Sequence, residues 1–344
     1  MKNEMRRIRN KVCRRLCPLL MILAATSAFP SQPQEKAEPD AKLLALDPAG
    51  PGPTARLFAP GTVTSPFSEY GLTISPAGDE IFYCIEIREI SGQYKTFIVA
   101  LKWEKGAWSR PEILPFSAAG LDSQPVLSAD GRTLIFLSRR PLGAGATSLG
   151  DNFWAVDRND GSWGTPYPLE AVNSDGWESM PFIHRNGDLY FCTMPAMRNA
   201  PQHIFVSKYA DGRYQKPEQL KGEINTPGGE YNPTLSPDGS FLFLELLNAQ
   251  GDGDIYVSRK TGEGSWGKPE NLGNFINTPY SSECRLTYSP GGNYVFFQSP
   301  RRPQLIGRNN PVTYNLLMWN SHIIGQQSFD FYWIQASSLD KGLK

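Results

Sequence analysis

A carboxylate opens each of five similar stretches of this chain, which recur every 52 to 56 residues. The stretches begin at Glu69 (EYGLTISPAG), Asp122 (DSQPVLSADG), Glu178 (ESMPFIHRNG), Glu230 (EYNPTLSPDG) and Glu283 (ECRLTYSPGG). Carboxylates gathered at one opening raise one another's pKa values unless a cation or a cationic ligand binds between them. Two such carboxyl groups are also what a glycosidase uses. A carboxylate present in every repeat can instead accept backbone N–H bonds and pin the fold, and its recurrence favours this second interpretation.

Four arginines break the repetition. Arg139, Arg140, Arg301 and Arg302 follow the second strand of only two of the repeats. Guanidinium groups bind anionic or carbohydrate ligands through forked hydrogen bonds. These arginines could equally pair with the recurring carboxylates or with neighbouring loops.

A long insertion in the last repeat is the most individual segment of the chain, and it contains Tyr314, Trp319 and His322. Exposed aromatic side chains stack on sugars or anchor a protein partner, although they can also simply cover the edge of a sheet. The predicted ligand-binding residues are therefore the five carboxylates, the four arginines and Trp319.

Signals for catalysis, metals and nucleic acid are weak. The chain contains neither a G-x-S-x-G nor an HExxH motif, so we predict no catalytic residue. His184, His203 and His322 are scattered, and a three-histidine metal site would need ligands from opposite faces. The formal net charge is zero, which argues against a nucleic-acid partner. We therefore predict no cofactor and no metal.

The elements that hold these residues are short strands. Each carboxylate stretch contains a turn with Gly and then an apolar run such as EIFYC or FLFLE, which indicates a β-hairpin of strands A and B. In the first four copies a strand C follows, then a turn of the type Gly-x-Trp or Gly-x-Tyr. A proline stands three residues after each of these aromatics and marks an outer strand D; the four are Pro111, Pro166, Pro217 and Pro269.

Four-stranded units of about 50 residues that repeat around an axis make an all-β propeller. The last copy supplies strands A to C and ends without a strand D, whereas ARLFAPG stands unpaired before the first copy. An N-terminal strand that completes the last blade would close the ring without an exposed edge. We predict five blades, with a sixth, degenerate blade within 301–327 as the alternative.

The repeated signature x-x-P-x-x-S-P-D-G-x-x-L-x-F resembles the WD40-like β-propeller repeat of TolB-type bacterial exported proteins over about residues 56–340. The resemblance implies a propeller and says little about activity, because such propellers serve both as binding scaffolds and as adjuncts to enzymes. The third copy departs from the signature at His184-Arg-Asn-Gly187, and the first and fifth copies lack the first-strand proline.

The N-terminal region has a different character from the repeats. A basic region precedes the apolar run CPLLMILAATSAF, which is shorter than a membrane span, so residues 1–28 are predicted to be a secretory signal peptide; a retained anchor is the alternative. Residues 29–53 are expected to be a disordered lead-in, and 54–344 a single propeller domain. We therefore predict an exported monomer, periplasmic or extracellular, without a transmembrane span after cleavage. Cys84, Cys192 and Cys284 are predicted to be free, partly buried thiols.

Variable loops place the predicted ligand site. The B–C loops differ between repeats, whereas the A–B and C–D turns are short and uniform, and binding residues usually lie on variable loops. We predict an exported, non-catalytic scaffold that binds a protein, peptide or glycan on the face that carries the B–C loops and the D–A connections. The recurring carboxylates are expected at the channel mouth on that face. The alternative is a carbohydrate-active hydrolase or lyase that uses two of them.

Overall fold

The computed structural model describes residues 39–142, 150–194, 201–248, 251–262, 264–279, 282–301 and 329–341. In this part of the chain, antiparallel sheets form a five-bladed β-propeller. The prediction of a propeller with five blades is therefore confirmed. The signal peptide predicted over residues 1–28 lies outside the described residues.

The chain runs through the blades in sequence order. It begins with helix α1 (Pro39–Leu46) and strand β1 (Arg56–Leu57). The first blade contains β2 (Ser68–Ile74), β3 (Glu80–Arg88), β4 (Tyr94–Glu104), β5 (Ala107–Trp108) and β6 (Glu112–Ile113). After a 3-10 helix (Pro115–Ser117), the second blade contains β7 (Asp122–Leu127), β8 (Thr133–Ser138), β9 (Asn152–Asn159), β10 (Ser162–Trp163) and β11 (Tyr167–Pro168).

The third blade contains β12 (Trp177–Ile183), β13 (Leu189–Met194), β14 (His203–Ser207), β15 (Tyr209–Ala210), β16 (Arg213–Tyr214) and β17 (Glu218–Gln219). The fourth contains β18 (Lys221–Gly222), β19 (Tyr231–Leu235), β20 (Phe241–Leu247), β21 (Gly253–Gly262), β22 (Ser265–Trp266) and β23 (Glu270–Asn271). The fifth contains β24 (Cys284–Tyr288), β25 (Tyr294–Ser299) and β26 (Asp330–Gln335), and a second 3-10 helix (Ala336–Lys341) follows.

The A–B turn of each blade is closed by its own residues. In the first blade Ser75 Oγ accepts hydrogen bonds from the backbone N–H groups of Asp79 and Glu80, and Gly78 takes a positive φ of 65°. The second, fourth and fifth blades use a serine in the same way. In the third blade His184 replaces this serine, and the neighbouring Asn186 accepts the N–H bond of Asp188 instead. Local turn chemistry therefore explains why the motif repeats.

Strand D begins directly after the marker proline in the first four blades, as predicted. The pairs β6–β4, β11–β9, β17–β14 and β23–β21 each involve only two residues of the outer strand. Proline has no N–H to donate, so it fits just ahead of a short edge strand. The outer edge of each blade is therefore brief, which limits edge-to-edge association.

The ring is closed by both ends of the propeller domain, as predicted. Strand β1 pairs with β26, with Arg56 opposite Trp333, and so provides the fourth strand of the last blade. Phe58, just after β1, packs against Trp333 and Phe296 with ring centroids 5.0 and 4.9 Å apart. Closure therefore rests on aromatic packing as well as on backbone pairing.

The expectation that residues 29–53 are disordered is wrong from Pro39 onward. Helix α1 buries Leu43 completely against the core of the first and last blades. Asp40 accepts hydrogen bonds from Ser289 Oγ at 2.8 Å, from the N–H groups of Gly291 at 2.9 Å and Asn293 at 3.1 Å, and from Asn293 Nδ2 at 2.9 Å. A charged acceptor that satisfies donors of a turn is a strong local restraint, so this segment belongs to the folded domain.

Apolar side chains of the strands fill the space between blades. The cysteines in this core are free thiols, as predicted. Cys84, Cys192 and Cys284 form no disulfide; Cys84 and Cys192 are completely buried, whereas Cys284 is 7% exposed. Burial raises the pKa of the Cys84 thiol to about 12, so the thiol stays neutral. Among the described residues, no helix is long and apolar enough to cross a membrane.

Candidate functional site

The five recurring carboxylates lie between neighbouring blades and are at most 1% exposed. Four accept a hydrogen bond from a backbone N–H of the connection that precedes their strand: Glu69 from Ser65 at 3.0 Å, Glu178 from Ser174 at 3.0 Å, Glu230 from Thr226 at 2.6 Å and Glu283 from Thr278 at 2.8 Å. Three donate their own N–H to the preceding blade: Glu69 to Phe329, Glu230 to Gln202 and Glu283 to Gly253. These contacts support the interpretation that the carboxylates pin adjacent blades.

Arg140 neutralises the carboxylate of the second blade. Its Nη1 donates to Asp122 Oδ1 at 2.7 Å and its Nη2 to Asp122 Oδ2 at 2.8 Å, in a forked pair. Nη2 also donates to the carbonyl of Phe116, and Ser138 Oγ donates to Asp122 Oδ1 at 2.6 Å. Burial raises the pKa of Asp122, while Ser138 and Arg140 oppose that rise. The guanidinium of Arg140 is therefore occupied by hydrogen bonds to groups within the protein.

Arg301 plays the same part in the last blade, where its Nη2 lies 3.0 Å from Glu283 Oε1 and also donates to the carbonyl of Ile276. Arg139 is different, because its side chain is 58% exposed and pairs with Asp151 at 3.0 Å. Arg302, Tyr314, Trp319 and His322 lie outside the described residues. Of the four predicted arginines, two are therefore bound to the carboxylates and one is on the surface.

The remaining three carboxylates have no arginine partner among the described residues. Burial raises the pKa of Glu178 to about 7, although hydrogen bonds from Ser174 oppose the rise. Burial also raises the pKa of Glu69 and that of Asp330, and the charge of Asp330 adds to the rise for Glu69. Glu230 Oε2 lies 3.7 Å from His203 Nδ1. These three carboxylates therefore differ in their surroundings: Glu178 has no charged partner in the described part of the chain, Glu69 lies near a second carboxyl group, and Glu230 lies near a histidine.

Metal binding finds no support in this part of the molecule. No group of three or more His, Cys, Asp or Glu side chains in the described ranges is arranged to hold a metal ion.

A central cavity of about 350 Å³ opens on the opposite face, which is formed by the A–B turns. All five inner strands contribute to its wall, together with turn residues such as Ser128, His184 and Pro290. An adjoining groove of about 560 Å³ shares Ala129 and Arg185 with the cavity and includes Tyr167, Tyr209 and Tyr214. Cavities of this size fall within the range of small-molecule sites.

Five equivalent residues of the inner strands are here called the collar, and all of them except Gln124 line the cavity. Each lies two residues after the recurring carboxylate, at a register shift between strands A and B, and each has a positive φ: Gly71 (72°), Gln124 (53°), Met180 (57°), Asn232 (51°) and Arg285 (50°). A positive φ in a non-glycine residue costs about 1 kcal/mol or more. The fold accepts this strain four times in one ring, which makes the collar a defined feature and not a local irregularity.

Collar residues are linked from blade to blade. Gln124 Oε1 accepts the N–H of Met180 at 2.7 Å, and Met180 Sδ accepts the N–H of Asn232 at 3.3 Å. The linkage stops at Arg285. The guanidinium makes no hydrogen bond to a described residue, and its Nη2 is shielded from water without a partner. Asn232 Oδ1 is also shielded and unpartnered in this part of the structure.

Among the described residues, the ionisable side chains in the cavity wall include basic groups but no carboxyl group. Its lining includes Arg285, Arg185 and His184 but no Asp or Glu. Arg185 is exposed and reaches across the mouth to donate to the carbonyl of Pro290 at 3.2 Å. Burial lowers the pKa of Arg285, yet arginine stays cationic in proteins. The described carboxylates form no ion pair with Arg285, and the groups that act on its guanidinium through space are Cys284, Tyr70, Cys84 and Cys192. Arg285 in turn opposes the burial that raises the pKa of Glu245 to about 7.

The collar was not predicted from the sequence. A signal was nevertheless present, because the residue two places after each recurring carboxylate is Gly, Gln, Met, Asn or Arg, with no type repeated. Variation inside a repeated motif indicates a position that the fold does not dictate. The strand pattern concealed it, because a bulge turns a residue to a face that simple alternation assigns wrongly.

No family model matches the chain, and no curated protein matches its sequence. The chain is similar in structure to a provisionally assigned TolB of Agrobacterium tumefaciens (17% identity, 68% of this chain and 71% of that chain, TM-score 0.45). It is similar to TolB of Acinetobacter baumannii (13%, 68% and 51%, 0.43) and to the periplasmic gluconolactonase of Pseudomonas aeruginosa (18%, 66% and 64%, 0.42). At these values the fold assignment rests on the chain's own sheets, and no activity is carried over.

Proposed function

We propose that this chain is an exported, non-catalytic propeller that binds its ligand in the central cavity, entered from the A–B turn face. The observation that carries the proposal is the distribution of polar groups. Carboxyl groups that could act as acid and nucleophile are buried between blades, whereas the cavity wall carries two arginines and one amide. A glycoside hydrolase needs two carboxyl groups that face the substrate.

The face carrying the B–C loops stays a second proposed contact surface. Most of the variable loop residues, including Arg302 and Trp319, lie outside the described residues. A protein, peptide or glycan partner on that face would be compatible with a ligand in the cavity, because the two sites lie at opposite ends of the inner strands. The two surfaces need separate variants to test them.

The test is ligand retention by the full chain purified from an envelope extract. Ala129 is exposed on an A–B turn and lines both the cavity and the adjoining groove, so Ala129→Trp narrows the shared entrance. Ala107→Trp is the matched control, because Ala107 is also exposed but lies on a C–D turn of the first blade. Compounds released from each protein on denaturation are identified by mass spectrometry, before and after overnight incubation.

We expect the wild type and Ala107→Trp to release the same compound with unchanged mass, and Ala129→Trp to release much less of it. Conversion of that compound during incubation would show turnover and overturn the non-catalytic proposal. Equal release from both tryptophan variants would remove the cavity from the proposal. A deletion of residues 304–326 tests the other face, and loss of partners only in this variant would assign binding to the variable loops.

A further inference from the structure

Arg285 lines the central cavity, and its Nη2 is shielded from water without a hydrogen-bond partner among the described residues. Arginine carries five N–H donors, and a shielded donor without a partner costs about 1 to 3 kcal/mol. Buried polar groups in native proteins are nearly always satisfied, so an exception needs an explanation. The collar strand that carries Arg285 adds backbone strain to this cost.

The surroundings leave room for an external partner. Gly71 lies beside Arg285 in the collar, where a Cβ would lie 3.5 Å from Nη1 but only 3.0 Å from Gln124 Cα, so the room for a partner is in the cavity and not at Gly71. Part of the Arg285 surface remains accessible, and the residue lines the cavity. The amide NH2 of Asn232 in the same ring donates to Glu245, and the cavity wall includes Pro125, Pro181 and Pro233. A polar floor with an apolar wall is the usual composition of a small-molecule site.

Charge decides which ligand fits. A carboxylate would bring two acceptor oxygens to a guanidinium that lacks acceptors, in the forked geometry that Arg140 already forms with Asp122. A cationic ligand would meet Arg185 at the mouth and Arg285 inside, with no acidic side chain in the wall. A neutral ligand would leave the shielded Nη2 donor without a charged acceptor.

We propose that the cavity binds a small organic carboxylate, with Arg285 as the group that recognises the anion and Arg185 as a cation at the entrance. The inference deepens the proposed function and rests on it. It adds the chemical class of the ligand and identifies the residue that selects it.

The test uses fluorinated probes and the full chain. Fluorine NMR titrations compare 4-fluorobenzoate and trifluoroacetate with their neutral counterparts, 4-fluorobenzamide and trifluoroacetamide. The variants are Arg285→Gln and Arg185→Gln, and Arg110→Gln is the matched control because Arg110 is exposed and does not line the cavity. The thermal midpoint of each variant is recorded without any probe.

The carboxylates are expected to bind and the amides to fail. Arg285→Gln should weaken carboxylate binding about tenfold to a hundredfold, the range of a hydrogen bond to a charged group. Arg185→Gln should weaken it about twofold to fivefold, as for a solvent-exposed charge, and Arg110→Gln should have no effect. Without probe, the midpoint of Arg285→Gln should equal or exceed that of the wild type, because an unpaired buried charge has been removed.

Several outcomes would overturn the inference. If amides bind as tightly as carboxylates, the anion is not what is recognised, although a cavity ligand would still be consistent with the proposed function. If neither carboxylate binds, the anion site is rejected even where Ala129→Trp still abolishes retention of an endogenous compound. A large fall in the midpoint of Arg285→Gln would show that Arg285 is a structural residue.

Discussion

Arg140→Gln is the substitution that most directly separates a structural arginine from a ligand-binding one. Arg140 was predicted from sequence to bind either a ligand or a recurring carboxylate, and in the structure it forms a forked ion pair with Asp122. Asp122 has no exposed surface, and after the change its carboxylate would keep the hydrogen bond from Ser138. Glutamine can replace part of the hydrogen bonding but not the charge.

The expected loss follows from burial. Removing one partner of a buried ion pair costs about 3 to 5 kcal/mol, because the remaining charge has been taken out of water without compensation. Arg139→Gln is the matched control, since Arg139 pairs with Asp151 on the surface at a similar distance. An exposed pair contributes about 0 to 1 kcal/mol, so two adjacent arginines should differ severalfold in their effect.

Urea unfolding at pH 7 measures this difference, and pH adds a second criterion. Without Arg140 the pKa of Asp122 rises further, so folding of the variant takes up a proton at moderately low pH. The loss of stability relative to the wild type should therefore be largest at neutral pH and shrink as pH falls toward 5. Adding Asp122→Asn should recover part of the loss. If Arg140→Gln costs no more than Arg139→Gln at pH 7, the assignment of Arg140 as an interior structural residue is refuted.

Two further variants test other restraints of the ring by the same unfolding assay. Asp40→Ala removes the acceptor that ties helix α1 to the last blade and should lower the free energy of unfolding by about 2 to 4 kcal/mol. Asp175→Ala, at an exposed position, is the control and should change it by no more than about 0.5 kcal/mol. Equal effects of the two variants would contradict the role of the helix. The pKa of Glu178 is raised from 4.5 to about 7, so the stability this carboxyl contributes is present below pH 4.5 and is lost as pH rises through 7, by up to about 3 kcal/mol. Glu178→Gln should flatten the stability profile between pH 5 and 8, and an unchanged slope would count against the raised pKa.

The parts of the fold that the sequence predicted are those with local causes. A serine that closes its own A–B turn, a glycine with positive φ and a proline ahead of strand D act within a few residues, so each leaves a repeated pattern. Ring closure by β1 was predicted by counting strands, because the last copy lacked one. The partner of Asp40 is 249 residues away, and no local pattern reveals such a contact.

The candidate site was less predictable, because burial and bulges are properties of the assembled ring. The carboxylates were expected at a channel mouth but are buried between blades. The first residue of a strand that begins near the axis can point either into the channel or between blades. The bulge after each carboxylate decides this and is nearly invisible in sequence, because four of the five residues at positive φ are not glycine. From the sequence alone, Arg285 is therefore indistinguishable from an ordinary strand residue.

Arg140, Arg285 and Arg301 are all half-buried, so their different partners can be compared within one fold. Arg140 and Arg301 each have a carboxylate within 3.0 Å, so removing either leaves an anion behind and should destabilise the ring. Arg285 has no such partner among the described residues, so removing it takes away a desolvated charge and should leave the ring as stable or more stable. If the ring without the Arg285 guanidinium is as stable or more stable, the guanidinium is not needed for folding, which is what the proposed anion site requires.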